Sequence, residues 1–290
     1  MYEGTVSVPE MRALAFKHFM ENRSLCINDH ELIVGEKGDS PQAAPTFPEL
    51  CCHTLEDMNV MDSRDIIFFK VNDNDRKIQE EEIIPYWEKR SLRNKMLSNL
   101  GEEWKKCYGA GIFTEFMEQR GPGHTVGGDV FYRKGFLDLK AEAQAHLDAL
   151  DFINDKDALR KKQELEAMKL CCDAIIIYAK RYEKYAKELA EKENDPVRKA
   201  ELLQIAENCS VVPAHAPQTY YQALQMYWFV HIGVTTELNP WDAFSPGRLD
   251  QHLYPFYKND MASGVLDDAK ALELLECLWV KFNNQPAPPK

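Results

Sequence analysis

Two stretches of the sequence concentrate residue types that could do chemistry. The first runs Phe113-Thr114-Glu115-Phe116-Met117-Glu118-Gln119-Arg120-Gly121-Pro122-Gly123-His124-Thr125-Val126. Its pattern predicts a short helical turn ending at Gly121, after which Gly-Pro-Gly redirects the chain and presents His124. Phe116 lies one to two turns upstream. A histidine on a rigid turn beside an aromatic wall suits small-molecule binding, and its ring can hold or move a proton near neutral pH. The same residues also fit a helix end where His124 caps carbonyls or lies on the surface. The second stretch is Leu238-Asn239-Pro240-Trp241-Asp242-Ala243-Phe244. It delivers the Asp242 carboxylate between two aromatic rings, where a carboxylate needs a partner or takes up a proton. Asp242 therefore reads as an acid–base candidate, or as an N-cap of the next turn, or as a partner of Arg248. The Pro246-Gly247-Arg248 turn with Asp250 reads as a loop staple.

Other chemistries find no support. There is no Gly-rich phosphate cradle, no HExxH and no GxSxG elbow, and the eight histidines are scattered. A bound metal is therefore not expected. The 290 residues carry 35 basic and 47 acidic side chains, a net charge of −12. That balance argues against nucleic acid or an anionic membrane as partner, since both need a basic footprint. No apolar run is long enough to span a bilayer, and the first residues lack a signal-peptide pattern. The eight cysteines include two adjacent pairs and no CxxC, which reads as reduced thiols in a cytoplasmic protein.

The elements that must position these stretches are mostly helical. Helix is expected over Pro9–Glu21 and over Glu80–Leu97, the latter ended or kinked at Pro85. Glu80-Glu81-Glu82 reads as a solvated face. The longest helix is expected over about Asp157–Glu193, with Leu165, Met168, Ile175, Ile176, Tyr182 and Tyr185 at roughly helical spacing. Asp195 should cap the next helix, with Pro196 in its first turn, running to about Asn208. An apolar helix over Gln218–Ile232 should bury Tyr227 and Trp228. The last, Asp267–Asn283, presents Leu272, Leu275, Leu278 and Trp279 on one face. Glu31-Leu32-Ile33-Val34-Gly35 is a strand candidate. No repeat or flexible linker divides the chain, so one continuous domain is expected. The abrupt start and the final Asn-Asn-Gln-Pro-Ala-Pro-Pro-Lys suggest a chain cut from something longer.

Several strings together resemble the glycyl radical enzymes, the pyruvate formate-lyase-like superfamily. They are Asn28-Asp29 with Glu31 to Glu36, Phe113 to Val126, Gln225 to Gly233, Pro246 to Gln251, and Phe282-Asn283-Asn284-Gln285. The likeness covers essentially all 290 residues. Within the superfamily, Phe113 to Val126 and Leu238 to Phe244 look most similar to the dehydratases of hydroxyproline. The resemblance implies a ten-stranded α/β barrel wrapped in helices, of which this mainly α chain would be the helical N-terminal part with the first strand material. It implies a glycyl radical as cofactor, installed by a partner iron–sulfur activating enzyme that uses S-adenosylmethionine. The radical would pass to a cysteine on a barrel loop, whose thiyl takes a hydrogen from the substrate. Loss of the 4-hydroxyl as water would then give a pyrroline carboxylate.

The sequence departs from that pattern in one consequential way. It has no Gly-Cys-Val-Glu string and no Arg-Val-x-Gly-Tyr glycyl loop, and Cys171-Cys172-Asp173 looks like a helix interior. Residues 1–290 are thus expected to form an incomplete domain that cannot turn over alone. By resemblance His124 and Asp242 are catalytic-pocket residues that contact the substrate's hydroxyl or amine and assist proton movement. Phe116 is by resemblance a wall of that pocket, and a homodimer is a family habit. Competing readings are another member of the superfamily (a diol dehydratase, choline lyase or formate acetyltransferase) and a non-catalytic helical scaffold.

Overall fold

A computed structural model describes residues 6–43, 46–65, 69–112, 127–237 and 245–284. The protein is helical there, with no strand among the described residues. Helix α1, Val8–Asn22, starts at a reciprocal cap in which Ser7 Oγ accepts from the Glu10 N–H and the Glu10 carboxylate accepts from the Ser7 N–H. Helices α2, Leu55–Asp62, and α3, Asp73–Ile78, begin with the same device at Thr54/Asp57 and Asn72/Asp75. A π turn over Gln79–Ile83 links α3 to the short α4, Ile84–Trp87. The single helix expected over Glu80–Leu97 is therefore interrupted twice. The π turn widens the backbone just before Pro85, with the Ile84 N–H reaching back to Gln79 O, and a turn at 88–90 precedes α5, Leu92–Asn99. Glu80, Glu81 and Glu82 are exposed as expected.

The remaining helices are α6 (Glu102–Gly109), α7 (Val130–Arg133), α8 (Phe136–Asp148), α9 (Ala158–Lys192), α10 (Pro196–Val211), α11 (Tyr220–Glu237), α12 (Leu249–Ser263) and α13 (Asp268–Asn284). At 35 residues α9 is about 50 Å long and forms the spine, with α1, α8 and α10 packed along it. Asp195 caps α10 by accepting from the Val197 and Arg198 N–H groups, with Pro196 in the first turn. α11 is apolar on every side and buries nearly all of its length, Tyr227 and Trp228 included, which marks a central helix. Tyr178 and Tyr182 of α9 meet Phe229 of α11 edge-on or tilted, with ring centroids 6.0 and 6.4 Å apart.

Two expected faces are corrected. On α9, Ile175, Ile176 and Tyr182 are buried but Met168 is exposed. On α13 the inward stripe is Ala271, Leu274, Leu278 and Lys281, while Leu272 and Trp279 point out, each more than half exposed. The Arg248–Asp250 staple is also replaced, since Arg248 reaches Gln251 Oε1 at 3.5 Å.

Candidate functional site

Between α1 and α2 the chain threads through the middle of the helices, and residues 32–36 are almost completely buried. Glu31–Gly35 is not the strand that its sequence suggests. The hydrogen bonds a neighbouring strand would supply come instead from side chains on one face of α11, at i, i+4 and i+7. Tyr221 Oη donates to Leu32 O at 2.5 Å. Gln225 brackets Val34, donating to its carbonyl at 2.8 Å and accepting from its N–H at 2.9 Å. Trp228 Nε1 donates to Gly35 O at 2.8 Å. Gly35 has φ +124°, and a Cβ there would stand 3.2 Å from the Trp228 ring, so glycine suits both the backbone and the close indole. From α9, Tyr178 Oη donates to Glu36 O at 3.0 Å, and from α10, Arg198 donates to Asn28 O and Glu31 O, both at 3.0 Å.

This thread carries a buried cluster of charges. Lys281 Nζ on α13 bonds Glu31 Oε1 and, at 2.5 Å, Glu36 Oε1. Glu36 is fully buried, and its second oxygen has no partner among the described residues. Burial pushes the Glu36 carboxyl up to about 8, against the pull of Arg23 and Lys37. Burial likewise brings Lys281 down to about 7. The Arg23 guanidinium lies over Phe19 and Tyr178 at 4.7 and 5.3 Å, donates to Lys37 O, and reaches Thr236 Oγ1 at 3.3 Å. Beside it, His231 stacks on Trp228 with centroids 4.9 Å apart, and its Nδ1 lies 3.3 Å from Tyr227 Oη. Burial first, then the Lys37 charge, pulls its pKa down to about 3, so the ring is neutral. Sequence reasoning passed over Glu36, Lys281 and His231. The available signal was Lys281 itself, a lysine in step with Ala271, Leu274 and Leu278.

His124, Phe116 and Asp242 lie outside the described residues, in 113–126 and 238–244. What the structure describes is the frame at the roots of those segments. Residues 113–126 rejoin it at Gly127, just before α7. Residues 238–244 leave it from the last turn of α11, where Arg12 of α1 grips Glu237. Arg12 Nε and Nη2 both lie 3.1 Å from Glu237 Oε1, and Nη2 also donates to the Glu237 carbonyl at 3.3 Å.

All eight cysteines are free thiols. Cys171 and Cys172 sit inside α9 as expected. Burial pushes Cys26, Cys171 and Cys172 up to about 11, the opposite of an activated thiol. The described residues hold no group of three or more His, Cys, Asp or Glu that could bind a metal ion. No helix among them is long and apolar enough to cross a membrane.

The described residues form a helical frame gathered around a buried, side-chain-braced thread. Comparison with known proteins defines the class. The chain belongs to the pyruvate formate lyase-like family, which it matches over residues 1–290. It is 64% identical over 289 residues to trans-4-hydroxy-L-proline dehydratase of Clostridioides difficile, covering 100% of this chain and 37% of the relative. The crystal structure of that dehydratase with trans-4-hydroxy-L-proline bound superposes with a TM-score of 0.91, covering 100% of this chain and 37% of the other. Isethionate sulfite-lyase of Nitratidesulfovibrio vulgaris is 34% identical over 289 residues, covering 94% of this chain and 34% of the relative. A glycyl radical enzyme from Archaeoglobus fulgidus superposes with a TM-score of 0.83 at 34% identity, covering 97% of this chain and 36% of the other. The chain thus spans little more than a third of the length of these relatives.

Proposed function

We propose that this chain is the N-terminal part of a glycyl radical dehydratase that removes water from trans-4-hydroxy-L-proline to give a pyrroline carboxylate. The observation that carries the reading is the step in identity. The chain is 64% identical to the hydroxyproline dehydratase but 34% identical to the isethionate enzyme over the same number of residues. Within this reading residues 1–290 are an incomplete domain, without the cysteine loop and the C-terminal glycyl segment. None of the eight cysteines stands in a Gly-Cys-Val-Glu context. The residues present therefore do not fit the thiyl role. Hydrogen abstraction therefore falls to residues other than these 290, and we derive no step through it.

What this chain supplies is substrate handling. Phe116 forms an apolar wall against the pyrrolidine ring. His124 and Asp242 contact the substrate's hydroxyl or amine and assist proton movement during dehydration. A radical S-adenosylmethionine enzyme as activating partner, a homodimeric assembly and a cytoplasmic location complete the proposal.

The test is a substrate panel on a full-length polypeptide carrying this sequence, activated without oxygen. Conversion of trans-4-hydroxy-L-proline, with diols, choline and isethionate untouched, is the expected result. Dehydration of a diol with hydroxyproline inert overturns it. The 290-residue chain alone, given activating enzyme, is expected to show no turnover and no glycyl radical signal in electron paramagnetic resonance.

A further inference from the structure

The end of the buried thread meets α2, α3 and the π turn around a cavity of about 330 Å³. Its walls are joined by bonds between separate segments. Gln79, buried in the π turn, donates to His53 O at 2.7 Å. The Lys70 N–H donates to Gln42 O at 3.3 Å, which ties residues 69–71 to the loop after the thread. Arg76 of α3 reaches the Asp62 carboxylate at the end of α2 at 3.1 Å. The loop itself is pinched: Gln42 has φ +68°, and a Cβ on Gly38 would stand 2.5 Å from the Ala43 Cβ. A left-handed backbone at a residue other than glycine and a π turn are both uncommon, and both recur at ligand sites. The cross-bonds form the cavity before anything enters it, which is the usual condition of a small-molecule site.

Two kinds of side chain line the cavity. Met58, Met61 and Phe69 make an apolar wall, and all three are buried. Lys37, His53 and Lys70 bring basic groups to the same space. Lys37 and His53 are only 4% and 8% exposed, so water screens them weakly. Of the acidic lining residues, Asp75 accepts from the Asn72 N–H at 3.0 Å and Asp39 is exposed. The basic side chains have contacts of their own, to which an anion would add. A pliable methionine wall beside them suits the apolar body of that anion.

We infer that this cavity binds a small organic anion, a carboxylate with an apolar body. The site is built without Phe116, His124 and Asp242, and it does not depend on which substrate the enzyme dehydrates.

The test uses the unactivated full-length polypeptide carrying this sequence and three probes with one body: phenylacetate, phenylacetamide and phenethylamine. Binding is read from the carbon-13 methyl signals of Met58 and Met61 in nuclear magnetic resonance, assigned through Met58→Leu and Met61→Leu. Phenylacetate is expected to shift both signals saturably, and to do so equally with trans-4-hydroxy-L-proline in excess. Phenylacetamide should bind roughly tenfold more weakly, the effect of one lost charge-assisted contact, and phenethylamine more weakly still. Lys37→Gln should weaken phenylacetate by the same roughly tenfold factor. Lys70→Gln changes an exposed side chain, so the fold tolerates it, and should weaken phenylacetate about twofold. No shift with phenylacetate, equal binding of acid and amide, displacement by hydroxyproline, or parental affinity in both lysine variants overturns the inference.

Discussion

Removing the Lys281 ammonium should cost this fold far more than the loss of a surface lysine. The residue is almost wholly buried, and its Nζ serves two carboxylates, those of Glu31 and Glu36. Lys281→Met keeps the length and apolar stem of the side chain, so packing along α13 is nearly preserved. What remains is two acids in a dry interior with their shared cation gone. Breaking a buried pair from one side costs about 3–5 kcal/mol, because the surviving charge is left uncompensated. That is a large share of the roughly 5–15 kcal/mol that holds a domain of ordinary stability together. The Glu36 carboxyl can soften the penalty by keeping a proton, which its burial already favours. Adding Glu36→Gln should therefore recover about 1–3 kcal/mol of the loss, by removing one of the two stranded acids. The assay is urea unfolding of the 290-residue chain followed by far-ultraviolet circular dichroism, on the parent, both single variants and the double variant. Strict additivity of the two substitutions, or a Lys281→Met loss below about 1 kcal/mol, would refute the reasoning that these charges depend on one another.

The same cluster sets a pH dependence. The folded pKa of Glu36 is raised from 4.5 to about 8, so its stabilising contribution is fully present below about pH 4.5 and is lost as pH rises through 8. Lys281 is lowered from 10.5 to about 7 and acts in the opposite sense above pH 7. Glu36→Gln should therefore flatten the stability profile between pH 5 and 7, checked by thermal midpoints, and an unchanged slope there removes Glu36 as its source. His231 should remain neutral from pH 8 down to pH 5, with no titration of its ring signals in nuclear magnetic resonance. Gln225→Leu strands the Val34 N–H and carbonyl in the interior and should cost about 2–4 kcal/mol in urea unfolding. Gly135→Ala should destabilise the α8 start, since a Cβ there would sit 2.2 Å from the Ala214 carbonyl oxygen, and a parental midpoint would contradict that crowding.

Much of the frame is legible in the sequence because it follows from local rules. Asp195-Pro196 announces a helix start, and a long run of helix formers with a sustained apolar stripe gives α9 within a residue or two of its ends. The parts that escape are those decided at long range. Glu31–Gly35 has the β-branched, apolar composition of a strand, yet its hydrogen-bonding edge is taken by Tyr221, Gln225 and Trp228, nearly 190 residues away. α13 offers two stripes of helical period. Hydrophobicity favours Leu272, Leu275 and Trp279, while the buried one carries an alanine and a lysine. The contacts of Lys281 with Glu31 and Glu36 go with the helix face that turns inward. Hydrophobic periodicity alone cannot anticipate an ion pair between residues about 250 positions apart. For the candidate site, the strings around His124 and Asp242 stand out by residue type. Their functional assignment rests on resemblance, because both segments fall outside the described residues.

The chemistry of the charges follows a single physical logic. A thread buried among helices presents carbonyls and carboxylates that water cannot reach, and each must find a donor from a neighbouring element. Arg181 serves the end of α1, Arg198 serves Asn28 and Glu31, Lys281 serves Glu31 and Glu36, and Arg12 serves the end of α11. Each donor comes from a different helix than the group it satisfies, so the bonds tie separate elements into one body. Such long-range cationic bonds give geometric definition more than net stability, because desolvation offsets much of their attraction. Removing a buried donor, Lys281 above all, should nonetheless show in unfolding, because the carboxylates it serves are left uncompensated.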